Sequence, residues 1–187
     1  MTADDRRGAE QLARLLAVSF PCYEEDPARE AQELLSPDRM ALAAWDGERL
    51  VGFIGAIPQY HVQRREGRIY ATGWELHPLA VFPEGQGRGV GAALVKALEH
   101  ALDRRGASLL YLGCDDERGQ TSLADTDLYT DTFRKIENIT NFDRHPYSFY
   151  EKQGFCIVGV FPDANGPGRP DIWMAKSIGK KEEESVK

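Results

Sequence analysis

Hydrophobic positions along the chain alternate between helical and strand spacing, and this alternation predicts its elements. Apolar residues recur every three or four positions in two segments near the start, residues 9–19 and the stretch after Pro27. Two apolar runs then flank Asp46-Gly47, a dipeptide that is typical of a tight β-hairpin. The strand-like runs lie at 40–45, 50–57, 70–82, 109–113, 156–161 and 172–175, and later helix-like runs at 90–102 and 146–153. This order predicts a mixed α/β fold with a central sheet.

The stretch from His77 to Leu102 joins a strand, a glycine-rich turn and a helix. The first N–H groups of a helix have no hydrogen-bond partner within the helix, and glycines let the backbone approach a phosphate closely. The segment is therefore a candidate phosphate site, although a plain strand-to-helix turn fits its spacing equally well. Asp115 and Asp116 follow the next strand, which leaves dinucleotide binding open as well. The candidate ligand-binding residues are Leu79, Ala80, Val81, Gln86, Gly87, Arg88, Gly89, Val90, Gly91 and Ala92.

Composition narrows the class of protein and of ligand. The 187 residues, 42% hydrophobic and 28% charged, suit one globular domain, predicted over residues 1–178 with a disordered charged tail at 179–187. A formal net charge of −7 argues against a nucleic-acid partner and favours a cationic one. We find neither a membrane-length apolar run nor a signal-peptide pattern. The three cysteines lack metal-type spacing, so we predict no metal site, and they fit reduced thiols in the cytoplasm.

Residues 86–92, preceded by Val81-Phe82-Pro83, resemble motif A of the GCN5-related N-acetyltransferases, the GNAT superfamily. In that family the motif holds the pyrophosphate of acetyl-CoA. Further stretches resemble the aminoglycoside 6'-N-acetyltransferase branch, and they lie at 51–60, 73–79, 111–116, 145–152, 159–166 and 170–176. The resemblance implies a GNAT fold, with a central, mostly antiparallel twisted sheet flanked by helices. It also implies acetyl-CoA as co-substrate, an aminoglycoside as acceptor and a homodimer.

The chain departs from that branch in three places. A helix rather than a strand opens the sequence, so the first strand of the fold is very short or missing. Phe20 stands where the branch often has a tryptophan that packs on the drug, and it stays a candidate substrate contact. Residues 59–68 are basic and resemble an insertion, for which a solvated hairpin tip is favoured over a binding role.

Acetyl transfer to an amine requires a deprotonated amine, a polarised thioester carbonyl and a proton for the leaving thiolate. Glu75 is the candidate base, because the matching glutamate in the branch contacts the substrate amine. Strand alternation predicts that Glu75 shares a face with Leu79. The alternative is a surface glutamate in an ion pair. The main chain of Leu79 and Val81 is predicted to hold the pantetheine arm and polarise the thioester, with an ordinary edge strand as the alternative.

Tyr150 is the candidate acid for the thiolate, since many acetyltransferases place a tyrosine there. Tyr147 lies one turn earlier and is a candidate substrate contact, although both tyrosines also suit a hydrophobic core. Asp115 and Asp116 are the favoured acidic contacts for a polycation. His77 is a further candidate contact, although a structural role is favoured for it. The acidic residues Glu24, Glu25 and Asp26 suit either such a site or a solvated loop.

These residues together predict an aminoglycoside 6'-N-acetyltransferase in which the amine attacks the thioester directly, with antibiotic resistance as the consequence. One alternative is an acetyltransferase for another amine, such as a polyamine or a protein lysine. A third hypothesis is a protein that binds acyl-CoA or a cationic drug without turnover.

Overall fold

The structure, a computed structural model, describes residues 5–20 and 25–179. Its helices are α1 (Arg6–Ser19), α2 (Pro27–Leu34), α3 (Val90–Asp103), α4 (Thr132–Glu137) and α5 (Tyr147–Lys152). Its strands are β1 (Met40–Asp46), β2 (Arg49–Tyr60), β3 (Gln63–Arg65), β4 (Arg68–Tyr70), β5 (Gly73–Val81), β6 (Leu109–Asp115), β7 (Cys156–Phe161) and β8 (Asp171–Ser177). The mixed α/β class is confirmed. Glu24, Cys22 and the predicted tail beyond Gly179 lie outside the described residues.

The chain divides into two compact units. Of the described residues, those up to 110 together with 178 and 179 make the first unit, and residues 111–177 make the second. The described pairs β1–β2, β2–β5, β3–β4 and β7–β8 are all antiparallel, as expected of a mostly antiparallel sheet. The single domain over residues 1–178 stays a prediction.

The first unit has its core between α1, α2 and one face of the β1–β2–β5 strands. Leucines at helical spacing on α1 and α2 pack with Phe53 and Leu50 of β2 and Ala80 of β5. The described chain enters α1 directly at Asp5, whose carboxylate accepts the Gly8 N–H at 2.9 Å and caps the helix. Burial of this one apolar stripe on each helix holds the helices on the sheet.

A bulge in β5 exchanges the two faces of that strand. Ile54 pairs with Leu79 and Ala56 with Leu76, so two steps along β2 correspond to three steps along β5. Leu76 and Leu79 therefore share the face of Ile54, whereas Glu75, paired with Ile57, lies on the other face. The alternation-based prediction that Glu75 and Leu79 share a face is wrong, because one extra residue shifts the phase of the strand.

The basic stretch at 59–68 forms the end of β2 and a small β3–β4 hairpin, as predicted. The Arg64 guanidinium donates two hydrogen bonds to the Asp38 carboxylate, just before β1. Both side chains are largely exposed, so the ion pair links the hairpin to the segment before β1 but adds little to the free energy of unfolding.

Helix α3 lies on the face of the first unit that carries Gly52. A Cβ at Gly52 would approach a Leu94 methyl carbon at 3.1 Å, so the glycine lets the helix pack closely on β2. Leu94, Val95, Leu98 and Leu102 are the buried residues of the helix, which agrees with the predicted apolar stripe. Gly106 has a φ of 73° and follows the helix, as predicted for a stop.

In the second unit, β8 lies between β6 and β7. Tyr111 of β6 stacks on Trp173 of β8 at a ring-centroid distance of 5.5 Å, and Phe161 of β7 meets the same indole edge-on at 5.2 Å. A long connection between β6 and α5 carries the short helix α4. Within residues 5–20 and 25–179, no helix is long and apolar enough to cross a membrane.

Candidate functional site

The glycine turn, residues 86–92, leads from β5 into α3 with its backbone exposed. Gly87 and Gly89 have φ values of 70° and 83°, in the left-handed region that favours glycine. Gly89 is the N-cap of α3 without a side-chain cap, and its carbonyl accepts the first helical bond, from Ala93 N–H. The three preceding N–H groups of the helix therefore have no partner within it. A Cβ at Gly87 or Gly89 would meet nothing within 4 Å, so the turn is open to an anion.

The main-chain N–H and C=O groups of β5 next to this turn point to defined sides of the strand. Phe82 N–H donates to the Val51 carbonyl at 3.1 Å, which fixes the side of the strand that faces β2. Because main-chain groups alternate along a strand, Leu79 and Val81 direct theirs to the opposite side. The Gln86 side-chain amide donates to the Val81 carbonyl at 3.0 Å. The first residue of the glycine turn and the strand residues predicted to hold pantetheine are thus connected.

Glu75 lies half-exposed on the sheet face that α1 and α2 cover. The side-chain amide of Gln59 donates to its Oε2 at 3.0 Å. Gln59 belongs to the neighbouring strand, so the carboxylate is oriented by β2 as well as by its own strand. A carboxylate held in this way can bind an ammonium group and accept its proton.

His77 shares the surroundings of Glu75. Burial lowers the pKa of His77, the negative charges of Glu75 and Glu30 act against this shift, and the positive charge of Arg39 adds to it. The ring is consequently neutral at neutral pH. Glu30 on α2 and Arg39 before β1 therefore act electrostatically on this face, although no sequence pattern marked either residue.

In the second unit, Asp115 is exposed at the end of β6. The Asn165 amide donates to its Oδ1 at 2.6 Å, and the His145 ring nitrogen Nε2 lies 3.1 Å from its main-chain carbonyl. Burial lowers the pKa of His145, so its ring is neutral and Nε2 donates this bond while Nδ1 accepts from Tyr147 N–H at 3.3 Å. Asp115 is thus held at both side chain and backbone, with its carboxylate towards solvent.

Asp116 has a different position from the one predicted. Its side chain is completely buried, and its two carboxylate oxygens accept hydrogen bonds from the N–H groups of Gln120 and Thr121 and from the Thr121 hydroxyl. These bonds fold the loop after β6. The predicted contact of Asp116 with substrate is therefore corrected: successive residues of a strand point to opposite sides, and only Asp115 faces solvent.

Tyr147 and Tyr150 are both buried on the short helix α5. Burial raises the pKa of Tyr150, and the nearby Cys114 adds to the shift. Its ring meets Phe149 and Phe155 edge-on at 5.1 and 5.6 Å. The hydroxyl therefore stays protonated at ordinary pH values, and the same burial disfavours the phenolate that proton donation would leave. Burial likewise raises the pKa of Cys114, which keeps the thiol protonated and unsuited to attack a thioester.

Phe20 and Asp26, two further candidate residues, make contacts that support the fold. Phe20 ends α1 and packs against the core cluster of the first unit. Asp26 caps α2 by accepting the Arg29 N–H at 3.0 Å. No three His, Cys, Asp or Glu side chains in the described parts of the chain are grouped as a metal site requires. Sequence reasoning missed Gln59 and Asn165, although both stand inside stretches that resemble the aminoglycoside branch.

A family model described as "Acetyltransferase (GNAT) family" matches residues 9–124, more than half of the chain and all of the glycine turn. This chain belongs to the GNAT family. N-alpha-acetyltransferase RimI of Mycobacterium tuberculosis is 34% identical over 110 residues, which are 59% of this chain and 61% of that protein. The chain thus spans less than two thirds of this curated GNAT relative.

Two solved GNAT structures are similar over almost the whole chain. A crystal structure of an aminoglycoside 6'-N-acetyltransferase complexed with coenzyme A is 47% identical, with a TM-score of 0.86 over 94% of this chain and 93% of that one. The aminoglycoside 6'-N-acetyltransferase from Enterococcus faecium is 48% identical, with a TM-score of 0.82 over 91% and 90% of the two chains. The predicted GNAT fold and the resemblance to this branch are confirmed.

Proposed function

We propose that this chain is an acetyl-CoA-dependent aminoglycoside 6'-N-acetyltransferase that confers antibiotic resistance. The observation that carries the proposal is the identity of 47–48% with two such enzymes over at least nine tenths of every chain compared. The similarity extends over nearly the whole of each chain, so it is not confined to the glycine turn. A net charge of −7 also suits a polycationic acceptor.

Acetyl-CoA fits the first unit through its diphosphate. The glycine turn offers unpartnered N–H groups at the positive end of α3, on an open backbone. The contributing residues are Gln86, Gly87, Arg88, Gly89, Val90, Gly91 and Ala92. The side of β5 that faces away from β2 offers the main chain of Leu79 and Val81 for the pantetheine arm, with their N–H groups to polarise the thioester carbonyl. The main chain of Ala80, also a candidate, lies on the other side, where Ala80 pairs with Phe53 of β2.

The reaction is a direct attack of the acceptor amine on the thioester carbon. Glu75 binds the 6'-ammonium and takes its proton, directly or through water, and the neutral His77 beside it adds no competing positive charge. A C–N bond forms, the C–S bond breaks, and the thiolate takes a proton from the Tyr150 hydroxyl. The second proton, which the nitrogen loses as the amide forms, returns to the Tyr150 oxygen.

The acceptor is held by further contacts. Asp115 presents a carboxylate to a second ammonium group, and the half-buried Phe20 offers part of its ring. Tyr147 is buried, so it supports α5 rather than contacting the acceptor. No membrane or nucleic-acid partner is proposed. The proposed location is the cytoplasm, where acetyl-CoA is made. A homodimer is proposed through β7, the terminal strand of its sheet, on which Val158 and Phe161 are each 57% exposed.

An acetyltransferase for another amine is the second candidate, because the RimI relative is named for N-alpha-acetylation. Release of coenzyme A should be measured with kanamycin, spermidine and lysine or N-terminal peptides as acceptors. We expect kanamycin to give the highest kcat/KM, and mass spectrometry to show one acetyl group at the 6'-amine. Equal or better rates with the other amines would refute the proposed acceptor, and coenzyme A release with any amine excludes a binding protein without turnover.

A further inference from the structure

The connection between β7 and β8, residues 162–170, is folded tightly on itself. Asp163 accepts the Gly168 N–H on its carboxylate at 2.6 Å, and Asn165 N–H donates to the Arg169 carbonyl at 2.9 Å. The Arg169 guanidinium in turn lies 2.8 Å from the Asp125 carboxylate in the preceding long connection. These bonds fix the backbone on both sides of Asn165.

The one side chain that this loop extends to a proposed acceptor contact is that of Asn165. Its amide nitrogen donates to Asp115 Oδ1 at 2.6 Å, across 50 positions of sequence. An amide donor engages one carboxylate oxygen without neutralising the charge, so it orients Asp115 and leaves it anionic. An exposed aspartate would otherwise exchange among rotamers.

The backbone of Asp115 is held independently of its side chain. His145 Nε2 lies 3.1 Å from the Asp115 carbonyl, and the next residue, Asp116, donates its N–H to the Pro170 carbonyl at 2.9 Å. The Asn165 bond therefore determines the orientation of a carboxylate whose position is already set. Removal of the bond should release the side chain without moving β6.

We infer that Asn165 is a positioning residue for acceptor affinity, which acts by aiming the Asp115 carboxylate at an ammonium group of the acceptor away from the reacting amine. The inference rests on the proposed function. Asn165 does not touch the reacting atoms, and the chemical step and acetyl-CoA binding are independent of it. Pre-orientation lowers the entropic cost of forming the ammonium–carboxylate pair, so it lowers KM for the acceptor rather than raising kcat.

The test is a double-mutant cycle with Asn165→Ala and Asp115→Ala, assayed with kanamycin. Asn165→Ala is expected to raise KM for kanamycin about three- to tenfold, the net size of one ordinary hydrogen bond, with kcat and KM for acetyl-CoA unchanged. In the Asp115→Ala background the same substitution should have no further effect. Asn138→Ala is the matched control, because Asn138 is also exposed and donates its amide, at 2.7 Å, to Arg134 O.

Each outcome decides the inference. If Asn165→Ala leaves KM unchanged while Asp115→Ala raises it, Asn165 has no positioning role and the proposed function stands. If Asn165→Ala raises KM equally in both backgrounds, it acts independently of Asp115 and the inference is wrong. If the wild-type enzyme does not acetylate aminoglycosides, the proposed function fails, and this inference fails with it. Thermal unfolding of each variant shows whether a lower activity reflects unfolding instead.

Discussion

Gly55 and His77 lie in backbone contact across the β2–β5 pair: a Cβ built on Gly55 would stand 2.5 Å from the His77 carbonyl oxygen. This close approach occurs at the bulge that turns Glu75 to the face covered by α1 and α2. A backbone oxygen cannot move away without breaking the strand pairing. The bulge therefore requires a glycine at this position. Because the bulge orients Glu75, the orientation of Glu75 depends on Gly55 as well.

Gly55→Ala is expected to lower the free energy of unfolding by about 1–3 kcal/mol, because it overpacks a buried contact. It should also lower kcat by disturbing the strand that carries Glu75. Urea unfolding and steady-state kinetics measure the two effects. Gly159→Ala in β7 is the control, since a Cβ there meets nothing within 4 Å. Equal stability of the two variants would show that the close contact has no energetic consequence.

Glu75→Gln is expected to lower kcat about 10²-fold or more with acetyl-CoA KM unchanged, since the amide keeps the shape but cannot accept a proton. Glu48→Gln provides a control, because Glu48 is an exposed carboxylate paired with Arg7. A Glu75→Gln enzyme with the wild-type rate at every pH would exclude Glu75 as the base.

Gly89→Ala is expected to raise KM for acetyl-CoA by about tenfold, because a side chain at a φ of 83° strains the N-cap by roughly 1–2 kcal/mol and shifts the glycine turn. Gly106→Ala imposes similar strain at the other end of α3, where φ is 73°. Both variants should lose similar stability in urea unfolding. Only the first should weaken acetyl-CoA binding, and a similar KM increase in both would assign the effect to helix stability.

Stability is expected to fall as the pH decreases below about 6.5, the ordinary histidine pKa. Burial lowers the folded-state pKa of both His77 and His145, so between the folded and unfolded pKa values the unfolded chain binds more protons. The two histidines contribute fully to stability at pH values above their pKa in the unfolded chain. This contribution is lost as the pH falls to their pKa in the folded protein. Urea unfolding at pH 8, 6.5 and 5 measures this slope.

His77→Gln and His145→Gln should each flatten that pH dependence. His100→Gln, at an exposed position of α3, should preserve it. A wild-type protein that is equally stable at pH 8 and pH 5, with intact folded structure at both, would contradict the assignment of buried neutral histidines.

Much of the molecule follows from local patterns. The helical stripe from Val90 to Leu102, the Asp46-Gly47 turn and the left-handed Gly106 are decided by residues close together in sequence, and each is observed where it was predicted. The glycine turn belongs to the same class, since its φ angles and unpartnered N–H groups depend on a few consecutive residues. Its resemblance to motif A led to the family before any tertiary contact was known.

The amino-acid sequence by itself therefore determined the order of the main helices and strands, the open glycine turn and the family, but not the small β3–β4 hairpin that takes Tyr70 out of the predicted 70–82 strand. Only the tertiary structure decided which face Glu75 occupies, that Asp116 is buried, and that Asn165 holds Asp115. A strand has a regular alternation only while its pairing is regular, and a single bulged residue opposite Gly55 reversed the orientation that the pattern predicted. The bond between Asn165 and Asp115 joins residues 50 positions apart, and no periodicity in the sequence encodes a contact that depends on where two loops fold.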